Sequence, residues 1–248
     1  MRATLLKVTE NRWDAIALKV DSLAKKVSEL QLKLGQITPK KTTSAPATAK
    51  SKRTIVISAN PRRPPYSVLA CVQALARAGK SVWAKTHAHS SLTAEDSAPL
   101  DFLSCNEERS RSDCDYTVSL IWRWDALEPS MRAGSASTVE GEDNILRYFS
   151  RITSSPSSCQ PGPLPYEAGL SAAQSALVDS KLDAIVKLGE EKAKLEGEWV
   201  CGSFFSIADV LLYSTLTRNR GAKKISKKWE GAMNKAYDFK NCSVGHMN

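Results

Sequence analysis

No stretch of the chain approaches the ~20 consecutive apolar residues that a membrane-crossing helix needs. The N-terminus places a polar residue every few positions, where a secretory leader would carry an apolar run, so neither spanning nor secretion is expected. Cysteine is sparse as well. The six cysteines, at 71, 105, 114, 159, 201 and 242, include no C-x-x-C pair, which argues against a disulfide framework and for reduced thiols in the cytosol. What is present is ordinary: 42% hydrophobic and 25% charged residues exclude a collagen-like, mucin-like or wholly disordered chain. A length of 248 residues allows one large domain, or two modest ones, plus an extension.

Charge is unevenly placed. Residues 1–53 hold 12 Lys+Arg against 4 Asp+Glu, a net +8, whereas residues 54–209 sum to −5 and residues 210–248 carry eight basic and two acidic side chains. No uniformly basic nucleic-acid surface results, and two local basic patches remain for phosphates or acidic proteins.

From Trp13 the apolar residues fall at Trp13, Ile16, Val20, Leu23, Val27, Leu30, Leu34 and Ile37, spaced 3,4,3,4,3,4,3. This is a heptad seam with Trp13, Val20, Val27 and Leu34 at position a, and it must pair with a partner helix to bury its stripe. The flanking g positions are all basic (Arg12, Lys19, Lys26, Lys33), while the e positions (Ala17, Ala24, Gln31, Thr38) are uncharged, so an acidic heterotypic coil fits better than a second copy. Pro39 ends the helix. Residues 39–53 then contain no large apolar side chain and form a basic flexible linker.

Thr54–Ala59 (TIVISA) reads as a buried strand. Pro64-Pro65 opens a helix stopped by Gly79, and Ser81–Thr86 is a second strand that completes a βαβ unit. Tyr116–Trp122 reads as another strand, with Ser135–Val139 as its expected antiparallel neighbour, and 141–152 as a helix. Everything after the 154–165 loop is expected to be helical, over 166–178, 179–195, 206–219 and 225–238. Within WVCGSFFSIADVLLY at 199–213, Ser206 and Asp209 have the spacing of a capping box, a structural role and not a catalytic pair. His87 and His89 share one face of a strand near Cys105 and Cys114, but the ligand spacing fits no zinc motif and no metal is expected. Cys71 reads as a small core residue, and Trp122, Trp124, Trp199 and Trp229 as core or interface.

The pattern W-x-x-G-x-x-x-S-I-A-D-x-x-L at 199–212 and the helix start EGEDNILRYF at 140–149, behind a β-α-β-β-β-α half, resemble the glutathione transferase fold. The segments IVISANPRRPPYSVL at 55–69, KTHAHSS at 85–91, DYTVSLIW at 115–122 and VEGEDNI at 139–145, with VTENRWDAIALKVDSL in the extension, are similar to something narrower. They resemble the auxiliary scaffolds of the multi-aminoacyl-tRNA synthetase complex, the second of the synthetase-complex-interacting multifunctional proteins. The fold implied is α/β plus all-α: a coiled-coil helix at 1–38, the linker, a thioredoxin-like subdomain at 54–155 and a helical glutathione-transferase-like subdomain at 163–242.

The resemblance also sets expectations about chemistry. A working transferase activates the glutathione thiol with a hydroxyl or thiol just after the first strand, where this chain offers only Ser58 within the strand. It binds the γ-glutamyl carboxylate at a helix-start serine, where this chain has Gly141-Glu142-Asp143. Glu140, Glu142 and Asp143 suit the helix dipole and would repel an anion there, and Pro129 is the candidate for the fold's cis-proline. A non-catalytic scaffold without cofactor is therefore expected, a glutathione-binding enzyme or a tRNA-binding factor being the alternatives. The implied partners are the glutamyl-prolyl, aspartyl, lysyl and arginyl synthetases and fellow auxiliary factors, in the cytosol and the nucleus. Vertebrate members of the family capture the lysyl enzyme with a longer N-terminal peptide, and this chain begins close to the coil. Arg147, Tyr148 and Arg151 are candidate docking contacts on the helix where such folds dimerise, and Lys223, Lys224, Lys227 and Lys228 are candidate phosphate contacts.

Overall fold

The computed structural model describes residues 19, 22, 25, 26, 52–92, 101–103, 110–154, 162–188, 195–219, 226–237 and 239. The chain divides into a unit of residues 1–49 and a compact unit of residues 50–248. In the first, Lys19, Ser22, Lys25 and Lys26 are helical and exposed, and every residue of the heptad seam lies outside the described residues.

The second unit is built on a five-stranded sheet. Strand β1 (Arg53–Ala59) buries Ile55, Ile57 and Ala59, as an alternating pleat requires. Pro64 and Pro65 precede helix α1 (Ser67–Arg77), and residues 67–75 are buried without interruption, so this helix lies inside the unit. Its end is a Schellman motif. Gly79, at φ +72°, donates to the Ala76 carbonyl and Lys80 to the Leu75 carbonyl, a turn that favours glycine. Strands β2 (Val82–Ala88) and β3 (Tyr116–Trp122) follow.

The sheet order is β2-β3-β1-β4-β5, with β3 parallel to both neighbours. This corrects the expected hairpin. Residues 135–138 form no strand; the antiparallel partner is β4 (Ser130–Ala133), and it pairs with β1 instead of β3, with β5 (Val139–Glu140) outside it. The physical reason is that β1 and β2 take both edges of β3, whose near-continuous apolar sequence suits the middle of a parallel sheet.

Helix α2 (Glu142–Thr153) leaves the sheet edge. Two helices were expected over 166–195; among the described residues there is one, α3 (Ala172–Leu188), 166–171 is non-helical, and 189–194 lie outside the described residues. A reciprocal cap sets that start: the Ser171 N–H donates to Gln174 Oε1 at 2.8 Å and the Gln174 N–H to Ser171 Oγ at 3.3 Å. Helices α4 (Ile207–Arg218) and α5 (Lys227–Ala236) complete the unit. α4 packs against α1, α2, α3 and α5, so one core is shared by sheet and helices.

The Ser206–Asp209 capping box is present at the start of α4. Asp209 is fully buried and its carboxyl accepts from three N–H groups: Ser206 at 3.0 Å, Val200 at 2.9 Å and the Trp229 indole at 3.1 Å. One side chain therefore joins the 199–202 turn, the cap and α5. Burial holds the Asp209 carboxyl above its ordinary value, against those hydrogen bonds. A folded-state value above the unfolded one gives stability that is fully present below the unfolded pKa and is lost as pH rises through the folded value. Asp209→Asn should lower unfolding stability by about 2–3 kcal/mol near neutral pH, because an amide NH2 then faces N–H donors. The loss should be larger in urea melts at acid pH, where the wild-type carboxyl is protonated and contributes the stability that its raised folded-state value confers, while the amide does not titrate.

Candidate functional site

Strand β5 ends at Gly141, whose φ of +91° turns the chain into α2; a Cβ there would sit 2.6 Å from Asp143 Oδ1. The next residue points inward. Glu142 Oε1 accepts from Ser67 Oγ at 2.5 Å, from the Ser67 N–H at 3.4 Å and from Ser214 Oγ, while Oε2 faces Arg218 Nη2 at 3.1 Å. The ion pair is nearly dry, with 6% of the Glu142 side chain and 11% of that of Arg218 exposed. Three helix segments thus meet on one carboxylate: the N-terminus of α1, the first turn of α2, and the Ser214/Arg218 face of α4.

This alters the reading of the acidic triplet. Glu142 does not project to repel an anion; it is itself the anion at the N-terminus of α1, paired with Arg218. Asp143 is also engaged, 2.5 Å from Arg147 Nη1. Of the three, Glu140 is the exposed one. The expected cis-proline is corrected too: the Glu128–Pro129 bond is trans, as is every described peptide bond.

Beside this cluster lies a cleft of about 200 Å³ between the loop after β3 and helices α3 and α4. Its apolar lining comes from Leu127, Pro129, Ile185, Val186 and Leu211, and its polar lining includes Asn60, Arg63, Glu128, Thr215 and Arg218. Among the described lining residues Thr215 supplies the one hydroxyl, which donates to the Leu211 carbonyl at 2.9 Å. Ser58 is not among the lining residues. It is half-buried in β1 opposite Ser130, in a separate depression with Arg123 and Asp125.

The candidate docking residues of α2 divide sharply. Arg147 is turned into the molecule, its guanidinium held by Asp143, by Asp179 at 3.0 Å and by Asn144 at 3.0 Å, and it lies 5.9 Å from the Tyr166 ring. Tyr166 in turn donates to Asp179 at 2.7 Å. Arg151 is exposed and makes a bidentate pair with Glu167 at 2.9 and 2.7 Å, which holds the Glu167 carboxyl below its ordinary value. Tyr148 is half-buried.

Among the basic candidates, Lys223 and Lys224 lie outside the described residues; Lys227 is exposed and Lys228 pairs with Glu198 at 2.7 Å. His87 and His89 are exposed, His89 Nδ1 accepting from the Ser91 N–H; Cys114 is buried, and Cys105 lies outside the described residues. Burial pushes the Cys71 thiol up, as a core cysteine requires. Trp122, Trp229 and the half-buried Trp199 pack in or against the core, but Trp124 does not: it is 39% exposed under the Arg62 guanidinium, 4.2 Å from its ring. The Glu142 cluster was missed at the level of sequence, where the only hint is that Ser214 and Arg218, one turn apart, interrupt an apolar helix.

Arg218→Met should cost about 3–5 kcal/mol, because it leaves the Glu142 carboxylate buried without its cation. Adding Glu142→Gln in the same chain should recover part of that loss, a coupling of about 0.5–3 kcal/mol measurable by denaturant unfolding of the two single variants and the double. Additive losses would mean that the pair is not coupled.

Comparison with known proteins gives a consistent picture. A family model described as a thioredoxin-like domain matches residues 50–140. A human protein named aminoacyl tRNA synthase complex-interacting multifunctional protein 2 is 29% identical over 67% of this chain and 53% of its own length. Proteins of the same name from Rattus norvegicus and Bos taurus are 28% and 27% identical over 68% and 67% of this chain, and again over 53% of theirs. The chain thus spans about half the length of the curated relatives it matches. Among solved structures, a glutathione transferase from Methylococcus capsulatus aligns with a TM-score of 0.39 and 13% identity, over 73% of this chain and 90% of that one. A Burkholderia glutathione transferase homologue with bound glutathione aligns with a TM-score of 0.35 and 13% identity, over 74% and 97%. The chain is accordingly a homologue of the proteins named aminoacyl tRNA synthase complex-interacting multifunctional protein 2, and its residues 50–140 are a thioredoxin-like domain.

Proposed function

We propose that this chain is a non-catalytic scaffold that helps assemble aminoacyl-tRNA synthetases into one complex. The observation that carries the reading is that the N-terminus of α1, an end of a helix suited to binding anions, is filled by the chain's own Glu142 carboxylate, with Ser67, Ser214 and Arg218 as its partners. Among the described residues that line the neighbouring cleft there is no tyrosine, serine or cysteine with which to activate a thiol. The names of the homologues support the same reading, since they describe interaction with a synthetase complex.

In this reading the compact unit docks to other subunits through the exposed part of α2, Arg151 and Tyr148, while Arg147 serves the internal packing of α2 on α3. The heptad seam from Trp13 to Ile37 recruits a helical partner, and the basic linker tethers the two. Two attachments on one flexible chain raise the effective concentration at each, so modest contacts hold a large assembly. The glutamyl-prolyl and aspartyl synthetases are the proposed partners, with the lysyl and arginyl enzymes as further members, in the cytosol and the nucleus.

Affinity purification of the full chain from cells should recover several synthetases together. Arg151→Glu should weaken recovery of at least one of them and lower stability by less than about 1 kcal/mol, since its bridge to Glu167 is exposed. Measurable turnover in a glutathione-thiol conjugation assay, with no synthetase in the eluate, would replace this reading with an enzymatic one.

A further inference from the structure

The geometry points to a second docking point, separate from α2 and resting on the scaffold reading: the cleft beneath the loop after β3 receives a single apolar side chain of a partner protein whose neighbouring carboxylates meet Arg62 and Arg63.

Exposed apolar surface is concentrated here. Among the described residues, the exposed large hydrophobic side chains are Trp124 (39%), Leu127 (88%) and Val186 (56%). Leu127 and Val186 line the same cleft from opposite elements, the loop and α3, and Trp124 is three residues from Leu127. Pro129, Ile185 and Leu211 continue the apolar lining. Single exposed apolar residues need no explanation, but their convergence on one cleft does. At about 200 Å³ the cleft falls below the roughly 300–1,000 Å³ of ordinary small-ligand pockets. It suits one anchoring side chain.

The loop is held in place before any partner arrives. Asn60 bridges two connections: its Oδ1 accepts from the Arg62 N–H at 2.9 Å and its Nδ2 donates to the Trp124 carbonyl at 2.9 Å. The Trp124 N–H donates to Ser91 Oγ at 3.4 Å, and Arg123 and Asp125 close on each other at 2.7 Å. The connections after β1, β2 and β3 thus converge on Trp124, at the carboxyl ends of three parallel strands. A preordered surface loses little entropy on binding, and tryptophan with arginine is the composition of interface hot spots.

Charge selects the partner. Glu142 is paired with Arg218, Asp143 with Arg147 and Asp125 with Arg123. This leaves Arg62 and Arg63, exposed and with no carboxylate partner among the described residues, Arg62 over the Trp124 ring and Arg63 lining the cleft, while the carboxylates of Glu128 and Glu140 line the adjoining depression with Leu127. The cations therefore stand together on the Trp124 side of the cleft. An apolar anchor flanked by acidic residues is the complement, and a phosphate backbone is not, because Leu127 and Val186 offer it nothing.

The test titrates the purified glutamyl-prolyl and aspartyl synthetases separately against the full chain. Leu127→Asp should weaken binding to one of them at least tenfold with an unchanged melting temperature, since that side chain is in solvent. Arg62→Glu with Arg63→Glu should weaken the same enzyme and remove the salt dependence of its binding, and Arg151→Glu should leave that contact as it was. Wild-type affinity of both loop variants for both enzymes overturns the proposal. So does a self-associated wild-type chain that Leu127→Asp dissociates without loss of synthetase binding, because the occupant is then a second copy. Failure of the scaffold reading looks different: the unaltered chain binds neither enzyme, and this inference falls with it.

Discussion

Everything in the compact unit is arranged around one buried carboxylate. Removing a carboxylate and a guanidinium from water costs several kcal/mol per ion even after relaxation, and the attraction between them repays it only when the remaining hydrogen-bonding capacity is met. Glu142 meets that condition. Two serine hydroxyls and a backbone N–H fill its acceptor sites on one side and Arg218 holds the other. Because Ser67 belongs to α1 and Ser214 and Arg218 to α4, the pair specifies the relative position of sheet-side and helix-side elements in a way that interchangeable leucines do not. The same carboxylate also accepts from the first N–H and hydroxyl of α1, so one side chain both caps that helix and anchors α4 to it.

How far the sequence could be read depended on the distance over which each interaction acts. The Ser206–Asp209 cap, the Gly79 stop and strand Tyr116–Trp122 follow from residues a few positions apart, and they are present. The Ser171–Gln174 cap is just as local and went unread, so one helix was expected as two. Strand Ser130–Ala133 carries a weak signal, with a proline before it and Arg132 inside it, and its pairing with β1 depends on β3 having no free edge. Glu142 shows the largest gap: its partners are more than seventy positions away on either side, and as a string of letters EGED reads only as an acidic helix start. Arg147 is similar, since nothing in its neighbourhood announces that Asp179 and Tyr166 will enclose it. The cleft went unread: Trp124 was expected in core or interface, and its exposure, like that of Leu127, depends on how three loops meet.

The two surfaces proposed for docking rest on different structural supports. The exposed rim of α2 is backed by the Arg147–Asp143–Asp179 network, and the loop after β3 by the Asn60 bridge. Each is rigid for its own reason. A substitution in one support therefore need not disturb the other.

The strand order has a consequence for how the chain reaches this form. β1, α1 and β2 come first in the sequence, yet β1 and β2 do not touch; a gap one strand wide separates them until Tyr116–Trp122 enters it. The most apolar strand is thus the wedge that arrives last into the parallel half, and neither earlier strand has its full ladder before then. Non-local closure of this kind slows folding relative to hairpins and bundles. During synthesis at the ribosome, residues 53–88 emerge as two strands that still lack the one between them.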